Sequence, residues 1–481
     1  MRKFPALLLV YVAIIQPQPA FGQSAPRGSE APAPQPVRAV AARAAFDEYL
    51  AAFNAADPKA LTRFKERYGY NKVVEDVLAF RGYTGGFDLL RIEEQSASKV
   101  TAIVRWRDGE MVDERRTLTL VEGPPRSLTI EGEKLPIERL TQADAVAGFE
   151  RRSEELAASG RFSGTVLLAR HGKILFARAY GEADRVRHIP MTLDSQIRYG
   201  SLGKMFTAIV LLQLVQAGKV DLDAYVAAYL PDYPNQEFAT KVKVRHLLTH
   251  ESGAGGIDTV DVDWDGDRSR FKTLDDYIAQ YGDRAPEFEP GSKGEYSNYA
   301  FIVAGKIVEA VAGRDFYDVV KEQIFDPAGM TRTGYAPENV TLPGRAVPYT
   351  ERDGALVSVL DRYPWRGIPA GGGYSTVMDL FKFSEALRTG KLLSQNLLKQ
   401  ATSPKNREGW YGYGFITVGE PGALRYGHGG DAPGSNASFT VFPESGWVTI
   451  ALANRDPQIA YRAHNWFEPR MPINDTGAVH Q

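Results

Sequence analysis

Apolar residues recur at two different periods along this chain, and the change of period divides it. Phe46, Tyr49, Leu50 and Phe53 fall at i, i+3, i+4 and i+7, the spacing of one helix face. Asp57-Pro58 interrupts that face and opens a second, carrying Leu61, Phe64 and Tyr68. The period then drops to two. "KVTAIVRW" and "ERRTLTLVE" flank an Asp108-Gly109 turn and "SLTIEG" follows Pro124-Pro125, so strands rich in β-branched residues are expected to cover the helices. Residues 41–136 therefore read as a small α+β domain without a chemical constellation of its own.

A charged helix from Leu140 to Ala158 leads into "FSGTVLLARHGKILFARAYG", two apolar strands turning at Arg170 to Lys173. Near the other end, "NASFTVF" and "WVTIALAN" form a second hairpin around Pro443 to Gly446, and the segment between the two hairpins is mostly helical. Strands at both ends imply that the extremities of residues 140–470 meet in one sheet. The expected fold class is α+β: an antiparallel sheet flanked by helices, with an inserted all-helical region, preceded by the small α+β domain. No period of repeat length shows itself.

Composition narrows the function. The chain has 481 residues, 57 Lys plus Arg against 59 Asp plus Glu, and no cysteine. Balanced charge gives no pull toward nucleic acid or an anionic membrane, and the absence of thiols leaves any chemistry to oxygen and nitrogen. The first residues, Met-Arg-Lys then "FPALLLVYVAII", give a basic cap and an apolar stretch too short to span a bilayer, followed by small residues at Ala20 to Gly22. Residues 1–22 read as a signal peptide, with an uncleaved anchor as the alternative, and 23–40 as a Pro/Ala-rich flexible linker. The expected location is periplasmic or secreted, with no stable membrane span.

"RYGSLGKM" places Ser201 and Lys204 one helical turn apart at the head of "FTAIVLLQLVQAG", a run apolar on nearly every side. The pair allows two readings. Ser201 as an N-cap with Lys204 snorkelling to solvent is the plain one. In the other, burial lowers the amine's pKa, Lys204 accepts the Ser201 proton, and the helix N-terminus faces an oxyanion. "GEYSNYAF" adds Tyr296 and Asn298 ahead of another apolar helix, and "RYGHGGDAPGS" adds His428, Gly429, Gly430 and Asp431 on an edge strand.

These three motifs, S-x-x-K, Y-x-N and H-x-G, resemble the serine β-lactamase and penicillin-binding superfamily, in particular its class C-like branch of D-alanyl-D-alanine carboxypeptidases, D-aminopeptidases and family VIII-type esterases. "HLLTHESG", "AGGGYSTVMDL" and "FDPAGMTRTGY" extend the likeness over residues 145–456. The resemblance implies an acyl-enzyme at Ser201, with Lys204 and Tyr296 sharing acid/base work and Lys204 favouring the Tyr296 phenolate. It implies that Asn298 orients the substrate or Lys204, that His428 makes the site's charge pH-sensitive, and that the amides of Ser201 and Asp431 form the oxyanion hole. Neither metal nor organic cofactor is implied, and the partner is a small ester, D-peptide or β-lactam. Relatives that bind a carboxylate beside the scissile bond commonly carry a hydroxyl residue where this chain has Gly429, so esters or D-amino-acid amides are expected over β-lactams. An inactive binding or sensing protein of the same fold is the alternative from another class.

Other candidates are weaker. "DVDWDGDRSRFK", Asp261 to Lys272, begins like a calcium loop but ends in lysine where glutamate belongs, and reads as a solvated acidic loop. His246 and His250 have zinc-pair spacing on an expected helix, yet lack an intervening glutamate and a third ligand. Gly371 to Gly373 either form a simple turn or let backbone approach the site, and Ser375 with Asp379 reads as a helix cap. Trp264, Trp365 and Trp410 either wall the cleft or are scattered surface aromatics.

Overall fold

The computed structural model describes residues 40–473 except 122, 124–125, 258–269, 420–423 and 457–458. The expected signal peptide, nearly all of the linker, Trp264 and the carboxylates of the Asp261 to Lys272 loop lie outside the described residues. No helix among those described is long and apolar enough to cross a membrane.

The first unit packs three helices, Val40–Ala55, Pro58–Tyr68 and Val74–Thr84, on a four-stranded antiparallel meander, Phe87–Gln95, Lys99–Trp106, Asp113–Val121 and Ser127–Lys134. The Asp57 carboxylate accepts from the N–H groups of Lys59 and Ala60 at 2.9 and 3.1 Å, and Pro58 opens the second helix, as a capped start requires. Phe46, Phe53, Phe64 and Phe87 fill a core separate from the rest of the chain. The third helix and first strand carry no clear period. Only Val77 and Thr84 of that helix are fully buried, and register shifts at Leu89/Arg91 and Ile92/Glu94 break the strand's alternation.

The second unit is built on a six-stranded antiparallel sheet in the order Ile416–Val418, Arg425–Ala432, Ser435–Phe442, Trp447–Ala453, Gly164–Arg170, Lys173–Tyr180. Trp447–Ala453 pairs with Gly164–Arg170, so the two hairpins read from sequence join in one sheet. Alternation along Gly164–Arg170 sorts its side chains. Val166 and Leu168 pack with the helices Gln142–Ala158 and Tyr461–Phe467, while Leu167 and Ala169 enter the larger core on the opposite face. That core surrounds Gly203–Gln216, a helix buried along nearly its whole length, with Asn298–Ala312 and Val377–Arg388 beside it. The last of these is capped by Thr376, whose hydroxyl accepts from Asp379 N–H at 3.1 Å. Ser375 instead pairs in a short strand with Ile197, so the expected cap is displaced by one residue.

Charge joins the two units. Asp108 is 1% exposed and accepts from Arg152, from Arg161 at 2.6 Å and from Arg462. Arg470 donates to the carbonyls of Glu110 and Met111 at 2.8 and 3.0 Å.

Candidate active site

The strand Ile197–Arg198 ends in a 3-10 turn, Gly200–Leu202, that feeds the buried helix Gly203–Gln216. Gly200 has φ +52°, and a Cβ there would stand 2.9 Å from the Asp431 nitrogen. A Cβ on Gly371 would stand 2.2 Å from the Gly200 carbonyl oxygen, and Gly372 N–H donates to that oxygen at 3.1 Å. Glycine at these positions lets three backbone segments converge on Ser201. Ser201 is not a helix cap, and Lys204 is fully buried instead of snorkelling, which removes the plain reading of the pair.

Lys204 Nζ lies 2.6 Å from Asn298 Oδ1, 2.8 Å from the Ala370 carbonyl and 3.3 Å from Ser201 Oγ. Burial drives its pKa well below the ordinary lysine value, which favours the neutral amine. A neutral amine has two hydrogens and one lone pair. The two shorter contacts end on acceptors and take the hydrogens, which leaves the lone pair for the Ser201 hydroxyl.

Tyr296 and Asn298 flank Ser297, whose hydroxyl caps the helix Asn298–Ala312 by accepting from Ala300 N–H at 3.0 Å. This cap brings the Tyr296 ring to 4.6 Å from Lys204 Nζ and its hydroxyl against Ser201. Burial raises the Tyr296 pKa above its ordinary 10.0. The expectation that Lys204 favours the phenolate fails, because the amine beside the ring is itself held uncharged; Tyr296 remains a phenol.

His428 projects from the strand Arg425–Ala432 and is 5% exposed. Its Nδ1 is 2.6 Å from the Gly429 carbonyl and must carry the proton, so Nε2 accepts from the Tyr411 hydroxyl at 2.8 Å. Burial and Lys204 push its pKa down to about 3. The expected pH-sensitive charge is therefore absent near neutrality. The ring stands 6.4 Å from that of Tyr296, centroid to centroid, with both nitrogens engaged. A Cβ on Gly430 would stand 3.1 Å from Ser201 N, so this strand lies directly against the serine turn. Asp431 accepts from Asn436 at 2.5 Å, and desolvation raises its carboxyl to about 6.

Ser201, Lys204, Tyr296 and Asn298 thus form one contact cluster, the backbone of Gly430 and Asp431 closes one side, and His428 sits behind. Sequence reasoning missed four contributors. Ala370 supplies a carbonyl that no side-chain pattern can reveal, and Tyr411 and Tyr461 lie outside the motifs. His250 is the fourth, and its spacing from His246 suggests only a zinc pair. It stands beyond the end of the helix Val244–Leu248 at φ +62°, so it does not share a helix face with His246, and no three-ligand group occurs among the described residues. The His250 ring packs against Tyr296 and Tyr411 at 4.3 and 4.4 Å, and its Nδ1 accepts from Ser297 N–H at 3.1 Å.

The Beta-lactamase family model matches residues 149–469. The chain is 31% identical over 293 residues to the putative penicillin-binding protein PbpX of Bacillus subtilis (strain 168), covering 60% of this chain and 70% of that one. It is 29% identical over 319 residues to esterase EstB of Burkholderia gladioli, covering 58% and 81%. The crystal structure of a D-stereospecific amidohydrolase from Streptomyces sp. superposes with a TM-score of 0.56 at 27% identity, covering 67% of this chain and 97% of that chain. With the match spanning most of its length and the Ser201 cluster within it, the chain belongs to the Beta-lactamase family of serine hydrolases.

Proposed function

We propose that this enzyme forms an acyl-enzyme at Ser201 and acts on esters or D-amino-acid amides. The observation that carries the reading is the Lys204 contact set, in which two acceptors take the amine's hydrogens and leave its lone pair for Ser201. Ser201 Oγ bonds to the substrate carbonyl carbon as its proton passes to Lys204. The carbonyl oxygen becomes an oxyanion between the amides of Ser201 and Asp431. When the bond to the leaving group breaks, the Tyr296 hydroxyl gives that group a proton and recovers one from the Lys204 ammonium. Water then releases the acyl group by the same steps in reverse roles.

Charge supports the substrate class. Lys204 and His428 are neutral near pH 7, whereas Asp431 is ionised above about 6. Such a cluster repels a carboxylate beside the scissile bond and accommodates a neutral ester or an amino group. EstB and the Streptomyces amidohydrolase bear names of the same two classes. The basic and apolar start of the chain supports export to the periplasm or beyond, which N-terminal sequencing of the mature protein checks, and the separate cores support a division near residues 136–140.

Intact-protein mass after fluorophosphonate treatment should show one adduct, lost in Ser201→Ala; a fold retained only for binding gives none. Short-chain p-nitrophenyl esters and D-alanyl amides should turn over faster than nitrocefin, and the reverse order overturns the substrate assignment.

A further inference from the structure

Gly429 removes a side chain from the strand at the edge of the site, but the space is filled. A Cβ placed on Gly429 would stand 1.7 Å from the Tyr461 hydroxyl oxygen, 2.7 Å from Cζ and 3.1 Å from Cε1. The phenol from the C-terminal helix Tyr461–Phe467 therefore occupies the position a residue at 429 would use. Tyr461 as a whole residue is half-buried. Asp431 and Tyr296 both act on its hydroxyl electrostatically, and the Gly430 amide is its polar backbone neighbour. Burial and the Asp431 carboxylate hold the phenol protonated, so it presents a neutral donor.

The placement is anchored from outside the catalytic unit. Arg462, the next residue, pairs with buried Asp108 of the N-terminal unit, and Arg470 past the helix end holds the Glu110 and Met111 carbonyls. The same turn, Asp108 to Met111, thus fixes both ends of the segment that carries Tyr461.

We propose that Tyr461 is a specificity-determining residue whose hydroxyl donates to a neutral acceptor on the leaving-group side of the substrate, and that Asp108 holds it there through Arg462. The side follows from the strand position it fills: the phenol stands where a side chain at 429 would, next to His428, whose ring centroid is 6.4 Å from that of Tyr296, the residue assigned above to protonate the leaving group. The acceptor is neutral because Asp431 adjoins the same hydroxyl and neither Lys204 nor His428 offers a compensating charge. This rests on Ser201 being the nucleophile.

The test uses three N-acetyl-D-alanyl thioesters, of thioglycolamide, thioglycolate and ethanethiol, whose thiol release is read colorimetrically; the protein has no cysteine to interfere. In the parent enzyme, kcat/KM should rank the amide above the ethyl and carboxylate leaving groups. Tyr461→Phe should lower the amide-to-ethyl ratio about tenfold, the size of one neutral hydrogen bond. Gly429→Ser in a Tyr461→Ala background, where all three close contacts are gone, should restore part of that ratio by returning a hydroxyl from the strand. Asp108→Asn should lower the ratio too, without adding to Tyr461→Phe in the double variant. An unchanged ratio in Tyr461→Phe overturns the assignment, and an Asp108→Asn effect that adds fully to it overturns the anchor. Fluorophosphonate labelling of each variant separates these outcomes from a failure of the nucleophile: no label in the parent enzyme refutes the Ser201 reading itself, whereas full label with an unchanged ratio refutes only Tyr461.

Discussion

Asn298→Asp isolates the role of the Lys204 lone pair. It keeps the side chain's shape and puts a carboxylate where Asn298 Oδ1 now lies, 2.6 Å from Nζ. At an effective dielectric of about 20, a unit charge pair at this distance interacts by ~6 kcal/mol, or between ~4 and ~5 pKa units. Burying the new carboxylate takes back part of that, leaving a net upward move of about two to three units for the shared proton. Whichever group holds the proton, Lys204 cannot accept the one from Ser201 until it is lost. At any pH below both acid limbs, adduct formation should therefore slow by roughly 100- to 1000-fold and recover at alkaline pH. The assay is the second-order rate of fluorophosphonate labelling across the pH range, with intact mass confirming one adduct. A variant whose acid limb lies at the same pH as the parent's refutes the lone-pair argument. So does one equally slow at every pH, since simple misplacement of Lys204 has no reason to reverse with alkali.

Gly200→Ala introduces a Cβ 2.9 Å from the Asp431 nitrogen at a left-handed φ; kcat on an ester should fall by about 100- to 1000-fold, and a loss under threefold would place the oxyanion site elsewhere. His250→Phe keeps a ring between Tyr296 and Tyr411 but leaves Ser297 N–H without its acceptor. It should cost about 1–3 kcal/mol in urea unfolding and lower kcat more than it raises KM. Lys204→Met should abolish labelling yet raise the thermal midpoint at neutral pH, an advantage that shrinks as pH climbs toward 10.5.

Much of this architecture was legible because burial and period coincide. In Gly164–Arg170 every residue is buried, and the flanking turns alone separate it from a helix; its partner Trp447–Ala453 reads the same way. The motif residues were legible too, since Ser201 and Lys204 share one helical turn and Tyr296 and Asn298 bracket a cap. What stayed hidden depends on contacts distant in sequence. Lys204 meets Ala370 across 166 positions, and Arg152 meets Asp108 across 44. The protonation pattern was misjudged for a related reason. A sequence shows that lysine, tyrosine and histidine converge, but how completely the surrounding helices exclude water decides that all three are uncharged.

That exclusion has a thermodynamic consequence. At pH 7 an unfolded lysine with the ordinary value of 10.5 is protonated, and stripping that proton to fold Lys204 neutral costs about 5 kcal/mol. Between the depressed folded value and 10.5 the unfolded chain binds more protons, so stability rises with pH through that window. Methionine at 204 escapes the cost but strands Asn298 Oδ1 and the Ala370 carbonyl, each worth about 1–2 kcal/mol, so the net gain at pH 7 is about 1–3 kcal/mol. The fold therefore carries its base at a loss. The loss has a use, because Ser201, Lys204 and Tyr296 start uncharged and the charges that first appear among them and the substrate are the oxyanion and the Lys204 ammonium formed with it. In a site from which water is excluded, that pair is held by amides already in place, with no ordered solvent to rearrange.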